Sequence, residues 1–248
     1  LKAIMSRKES DPKAFPSRPH VALIVETSHA SGRAILRGIT RYINENGPWS
    51  VYHEPRSLDG ELPSWLADWQ GDGIIVRAQN PRIAENVLRT GIPAVDVLGV
   101  AAGCKLPLVH VDNRKISRLA AEHFLERGFK NFAFCGIAGL NWSEERGGAF
   151  QEAICEQGFS CEISMLPATS ANDSWEQSQD RLGDWLSSLP KPVAVMTSHD
   201  PIGQRVLDAA RRVRALVPEE IAVIGVDNDE TLCAIADPPL SSIKPGHT

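Results

Sequence analysis

Two hydrophobic rhythms alternate along this chain. Short runs of apolar, mostly β-branched residues read as buried strands. Longer segments with apolar residues three or four apart read as helices. Residues 21–25 form the first run, Val-Ala-Leu-Ile-Val. Ile35, Leu36, Ile39, Tyr42 and Ile43 then recur at helical spacing, and Gly47-Pro48 ends that helix. Residues 49–54 alternate as a strand does. Trp65, Leu66 and Trp69 predict a short helix, and residues 73–76 a buried strand. Ile83, Val87 and Leu88 predict a helix that stops at Gly91, with a strand over residues 93–98. The order helix, glycine, strand recurs at Gly128 and Gly158, and later strands are expected over 132–135, 161–166, 193–196 and 222–226.

This alternation predicts an α/β protein built of right-handed βαβ units with parallel sheets. The strands are too many for one compact sheet of modest size. Residues 101–111, with Gly103 and Pro107, interrupt the rhythm and predict a crossing between two lobes. Residues 238–243, Pro-Pro-Leu-Ser-Ser-Ile, predict a second crossing. The expected organisation is a flexible, proline-broken tail at 1–19, a first lobe at 20–111 to which 243–248 return, and a second lobe at 112–242. Each lobe is expected to be Rossmann-like, with a ligand cleft between them.

In open parallel sheets, ligands bind beyond the carboxyl ends of the strands. Several runs end there in polar residues. Glu26-Thr27-Ser28-His29 follows the first, and Asp112-Asn113 the expected crossing. Ser198-His199-Asp200 and Asp227-Asn228 follow two later strands. Trp142 and Arg146 open the helix after the 132–135 strand. Carboxylates accept from sugar hydroxyls, arginine donates to them, and an indole covers the apolar side of a sugar ring. Each residue also has a plainer role. Asp112, Asp200 and Asp227 precede helices or turns, where aspartate is a common N-cap. Arg146 fits an exposed helix charge and Trp142 fits a core. Arg33 is expected in the first turn of its helix, an unfavourable place for a cation, which favours a ligand role.

Composition narrows the function classes. A net charge of −5 and a pI near 5.8 give this segment no electrostatic case for binding nucleic acid. No apolar run approaches the roughly 20 residues that cross a bilayer, and no secretory signal opens the chain. The five cysteines are odd in number and irregularly spaced, which fits a reducing, cytoplasmic setting and no zinc site. No GxSxG elbow, Walker loop, HExxH or GxGxxG occurs, so neither catalysis nor a cofactor is expected.

These residues resemble the effector-binding domain of the lac/galactose repressor family, which has the periplasmic sugar-binding-protein fold. The resemblance runs from about Pro19 to the end. It rests on Val111-Asp112-Asn113, on Glu145-Arg146 with Phe150, on residues 223–228 (Val-Ile-Gly-Val-Asp-Asn), and on residues 239–243 (Pro-Leu-Ser-Ser-Ile). Residues 131–136, Trp142 and the tryptophan-bounded stretch 175–186 are similar to the xylose-type regulators in particular. The resemblance implies a sugar, with D-xylose foremost, binding between the lobes. It places Asp112, Arg146, Asp200, Asp227 and Asn228 at sugar contacts of the second lobe and Arg33 at one of the first. It further implies a homodimer that reaches operator DNA through a domain outside this segment. A soluble binding protein of a sugar transporter is the alternative, since it shares the fold.

Overall fold

The computed structural model describes residues 18–54, 62–99, 105–167 and 174–246. Most of the expected tail, and the part of the expected first crossing at 101–104, lie outside them. The first lobe comprises β1 (His20–Ile24), α1 (Ala30–Asn46), β2 (Ser50–His53), a 3-10 turn (Ser64–Asp68), β3 (Gly73–Val76), α2 (Pro81–Arg89), β4 (Ala94–Val97) and β5 (Leu108–Val109). The second comprises α3 (Asn113–Glu126), β6 (Asn131–Ile137), α4 (Asn141–Cys155), β7 (Cys161–Leu166), α5 (Trp175–Ser188), β8 (Val193–Thr197), α6 (Asp200–Arg212), β9 (Ile221–Val226), α7 (Glu230–Ile235) and β10 (Ser241–Ile243).

Both sheets have five parallel strands, in the orders β2-β1-β3-β4-β5 and β10-β9-β8-β6-β7. Two expectations need correction. Leu108–Val109, inside the expected first crossing, pairs with β4 as an edge strand. The expected second crossing likewise pairs with β9 through residues 241–243, so the second sheet reaches Ile243. Both are short edge strands whose single neighbour supplies the pairing, and nothing in their own pattern announces it.

Alternate residues of the second sheet enter two cores, as the strand period of two requires. Ala133, Cys135, Val193, Val195, Ile221 and Val223 line one face with α5 and α6. Phe132, Phe134, Ala194, Met196, Ile224 and Val226 line the other with α3 and α4. In the first sheet, Ala22, Ile24, Ile74 and Val76 build one core against α2 and the 3-10 turn. The strands' carboxyl ends carry the polar residues of the next section.

Candidate functional site

On the second lobe, Arg146 organises the wall. It lies on α4 and is buried. Its Nε donates to Asn113 Oδ1 at 2.9 Å and its Nη1 to the Ser198 carbonyl at 2.5 Å. Its Nη2 lies 3.9 Å from Asp227 Oδ1. Burial lowers the guanidinium's pKa, and the nearby Asp227 opposes that shift. The guanidinium also sits over the Trp142 ring, 5.2 Å from its centroid. Trp142 is itself buried, and its indole Nε1 finds no hydrogen-bond partner among the described residues. A buried indole N–H normally has one.

The strand-end turn after β9 holds the next group. Asp227 and Asn228 have φ of 99° and 49°, left-handed values unusual for residues with a side chain. The surrounding bonds hold them there. Asp227 N–H donates to the Ile243 carbonyl, and Asn228 N–H to Ser242 Oγ at 3.0 Å. Ser242 Oγ–H in turn donates to Asp200 Oδ1 at 2.5 Å, and Asp229 N–H to Asp200 Oδ2 at 2.7 Å. Both Asp200 oxygens are thus engaged within the lobe. Asp200 is fully buried, and desolvation pushes its pKa up to about 6 against those hydrogen bonds. A Cβ at Gly225 would sit 2.3 Å from Asp200 Oδ1, so β9 needs a glycine where this carboxylate packs. The cap of α7 is Asp229, whose carboxylate accepts from Leu232 N–H; Asp227 is therefore not the cap its sequence position suggested.

The first lobe faces this wall with an ion pair that sequence reading missed in part. Glu26, just beyond β1, receives Arg77 Nη1 at 2.5 Å, and both side chains are buried. Arg77 also donates to Ser31 Oγ in the first turn of α1. A Cβ at Gly32 would lie 2.0 Å from the Glu26 carbonyl oxygen, so only glycine lets α1 start this close to the strand end. Glu26 Oε2 and Arg77 Nε find no partner among the described residues. Arg77 lies close enough to bear on the charge states of Arg146 and His199 in the other lobe.

The lobes meet at two further places. Arg33 Nη2 donates to Asp229 Oδ2 at 2.5 Å. His29 stacks on His199 with ring centroids 6.0 Å apart, and His199 meets Trp142 edge-on at 5.2 Å. Burial holds His199 neutral, with its pKa lowered to about 3, and the nearby guanidinium groups of Arg146 and Arg77 add to the effect.

Of the seven residues singled out from sequence, Trp142, Arg146 and Asp227 come together at the strand ends of the second lobe, and Asn228 lies beside Asp227 in the turn after β9. Asp200 stands behind the 227–229 turn, and Arg33 spans the lobe boundary. Asp112 is exposed and caps α3, accepting Lys115 N–H at 2.8 Å, while its neighbour Asn113 points inward to Glu145 and Arg146. Arg77 and Asp229 were not selected, and Asn113 was noted only as the neighbour of Asp112. Arg77 directly follows β3, so the rule that picked out Asp227 also points to it. Among the described residues, no group of three or more His, Cys, Asp or Glu is arranged to hold a metal ion. No described helix is long and apolar enough to cross a membrane.

Comparison with known proteins adds the following. The family model for the periplasmic binding protein-like domain matches residues 121–247. The xylose operon regulatory protein of Escherichia coli K12 is 28% identical over 240 residues, covering 94% of this chain and 60% of that protein. The solved structure of a xylose-binding transcription activator is 25% identical with a TM-score of 0.75, over 88% of this chain and 56% of that one. A transcriptional regulator CelR–cellobiose complex is 23% identical with a TM-score of 0.68, over 92% of this chain and 73% of that one, a likeness of fold. The chain spans about 60% of the length of the curated xylose regulators it matches. These relatives are transcription regulators, not enzymes.

Proposed function

The chain belongs to the periplasmic binding protein-like domain family, and from that premise we propose that it is the sugar-sensing domain of a cytoplasmic, DNA-binding regulator of sugar catabolism. The effector is a pentose, with D-xylose foremost. Operator DNA is reached through a domain outside this segment, and the regulator works as a homodimer.

One observation carries the reading: the convergence of Trp142, Arg146 and the 227–228 turn opposite Glu26 and Arg77. The indole brings an unpartnered N–H beneath the Arg146 guanidinium, and Arg77 brings an unpartnered Nε–H. Asp227 and Glu26 offer carboxylate acceptors for paired hydroxyls. A neutral polyol with one apolar face satisfies such a set. In this reading Asp200 holds the turn and Asp112 caps α3, and neither touches the sugar.

Titration calorimetry with D-xylose, glucose, ribose and L-arabinose tests it. D-xylose is expected to bind most tightly. Heat only with another sugar would keep the sensing role and remove the pentose assignment, and no heat with any sugar would remove the sensing role. Ligand-dependent operator binding by the intact protein, and none by this acidic segment alone, is expected alongside.

A further inference from the structure

A cation in the first turn of a helix opposes the helix dipole. Arg33 sits there in α1, yet three acceptors surround its guanidinium. Nη1 donates to the Thr27 and Ser28 carbonyls at 2.9 and 3.0 Å, which fixes the fork within the first lobe. Nη2 reaches Asp229, 196 residues away on the second lobe. The Asp229 side chain is nearly buried, at 8% exposure, while that of Arg33 is 38% exposed. Asp229 is the third residue of the strained turn that presents Asp227 and Asn228, and its backbone N–H is tied to Asp200. The ion pair therefore joins the first turn of α1 to the turn that forms part of the sugar wall. α1 has one fully buried residue, Gly32, in 17, and its apolar face of Ile35, Leu36, Ile39 and Ile43 is half-buried, so it is packed less deeply than α3 to α6.

Building on the sugar-sensing reading, we propose that Arg33–Asp229 is the latch that couples cleft occupancy to the position of α1, with Arg33 a positioning residue rather than a sugar contact. Closure takes the charged groups of both walls, Glu26 and Arg77 on one and Arg146 and Asp227 on the other, further out of water, which disfavours the closed form when it is empty. The latch offsets that desolvation, and a sugar bridging the two walls does the same. Two interactions that both require closure must strengthen each other, by equal factors in either direction. Occupancy of the 227–228 turn is thereby felt at the start of α1.

The test separates the latch from the cap. Asp229→Asn keeps an N-cap acceptor for α7 and the N–H to Asp200 while removing the charge that faces Arg33. Arg33→Gln removes the other charge without touching α7. D-xylose titration and small-angle scattering are run on the parent chain, both single variants and the double variant. Each single variant is expected to bind D-xylose about five- to tenfold more weakly and to show a larger radius of gyration without sugar. The double variant is expected to be no weaker than either single one, because the same interaction is lost once. Additive losses, or affinity and unliganded dimensions that match the parent, would overturn the latch. If the parent binds no sugar, the sensing role fails on its own. The latch is then judged by the unliganded dimensions: expansion in both single variants supports it and unchanged dimensions reject it.

Discussion

Among the described residues, the second sheet is packed on both faces, whereas the first builds a hydrophobic cluster on one face. Every residue of β8 and β9 is buried, and α6 turns seven buried residues inward. In the first lobe no residue of β2 or β5 is fully buried, and α1 contributes Gly32 alone. Val21, Leu23 and Val25 point away from the first lobe's core and are buried, but join none of the three clusters. The same βαβ grammar thus gives one lobe packed deeply and one packed more loosely, and the deeper packing predicts the more rigid lobe. Rigidity has a local use. A turn with two side-chain-bearing residues at positive φ persists only where its surroundings over-determine it. The buried Asp200 and the fully packed β9 do that for residues 227–229.

Core truncation should expose the contrast most strongly. Phe134 is fully buried, with its ring seated against Gly136 and Gly147 so closely that a Cβ at Gly147 would lie 2.8 Å from it. Phe134→Ala should cost about 3–5 kcal/mol of stability, as ring deletion in a packed core does. Leu36→Ala, on the half-exposed face of α1, should cost under about 1 kcal/mol. Chemical denaturation of both variants measures the difference. Similar losses would mean that α1 is as firmly packed as β6 and that the two lobes do not differ in compliance.

Sugar affinity should fall next. Asp227 is 14% exposed at its side chain, and its carboxylate lies 3.9 Å from Arg146. Asp227→Ala removes a charged acceptor from the wall and should weaken D-xylose binding by about 2–4 kcal/mol. Folding should change by less than about 1 kcal/mol, because Asp229 rather than Asp227 caps α7. Calorimetric titration beside thermal denaturation gives both numbers. Parental affinity with an early melt would make Asp227 part of the scaffold and move the site elsewhere.

The same contrast explains what the sequence could be made to say. Buried strands announce themselves as unbroken apolar runs, so β1, β3, β8 and β9 are legible to within a residue or so, and β7 is legible from its alternation and the glycine before it. The edge strands β5 and β10 are two and three residues long and acquire their identity only from a neighbour. In the site, residues that end a strand were legible because strand ends are. Asp229 was not, because its importance comes from a partner in another lobe, and no spacing along the chain encodes a 196-residue contact. Asp96 shows the same limit. It is a buried carboxylate inside β4 whose Oδ1 accepts Ala78 N–H at 3.0 Å, and its sequence neighbours Val95 and Val97 give no sign of that bond.

The smallest effect concerns the residue that the family resemblance and the local geometry assign differently. Asp112 stands at the junction of the lobes, where the resemblance implies a sugar contact. Its side chain instead accepts Lys115 N–H at 2.8 Å as the N-cap of α3, and the residue is exposed. An exposed carboxylate already serving as a cap has little to give a buried hydroxyl, since water competes for it. The inward-facing neighbour Asn113 holds Arg146 through Nε at 2.9 Å and is the residue that connects this segment to the wall. Asp112→Ala should therefore lower stability by about 1 kcal/mol, the usual worth of a cap, and leave D-xylose affinity within about twofold. Asp112→Asn, which preserves the cap, should restore the stability. Asn113→Ala should do the reverse, weakening binding more than its effect on α3 explains, because Arg146 loses the acceptor that orients it. Thermal melts and titrations on the three variants decide the matter. A tenfold loss of affinity in both Asp112 variants, with Asn113→Ala near parental, would extend the sugar site to Asp112 and make the lobe junction part of the rigid wall.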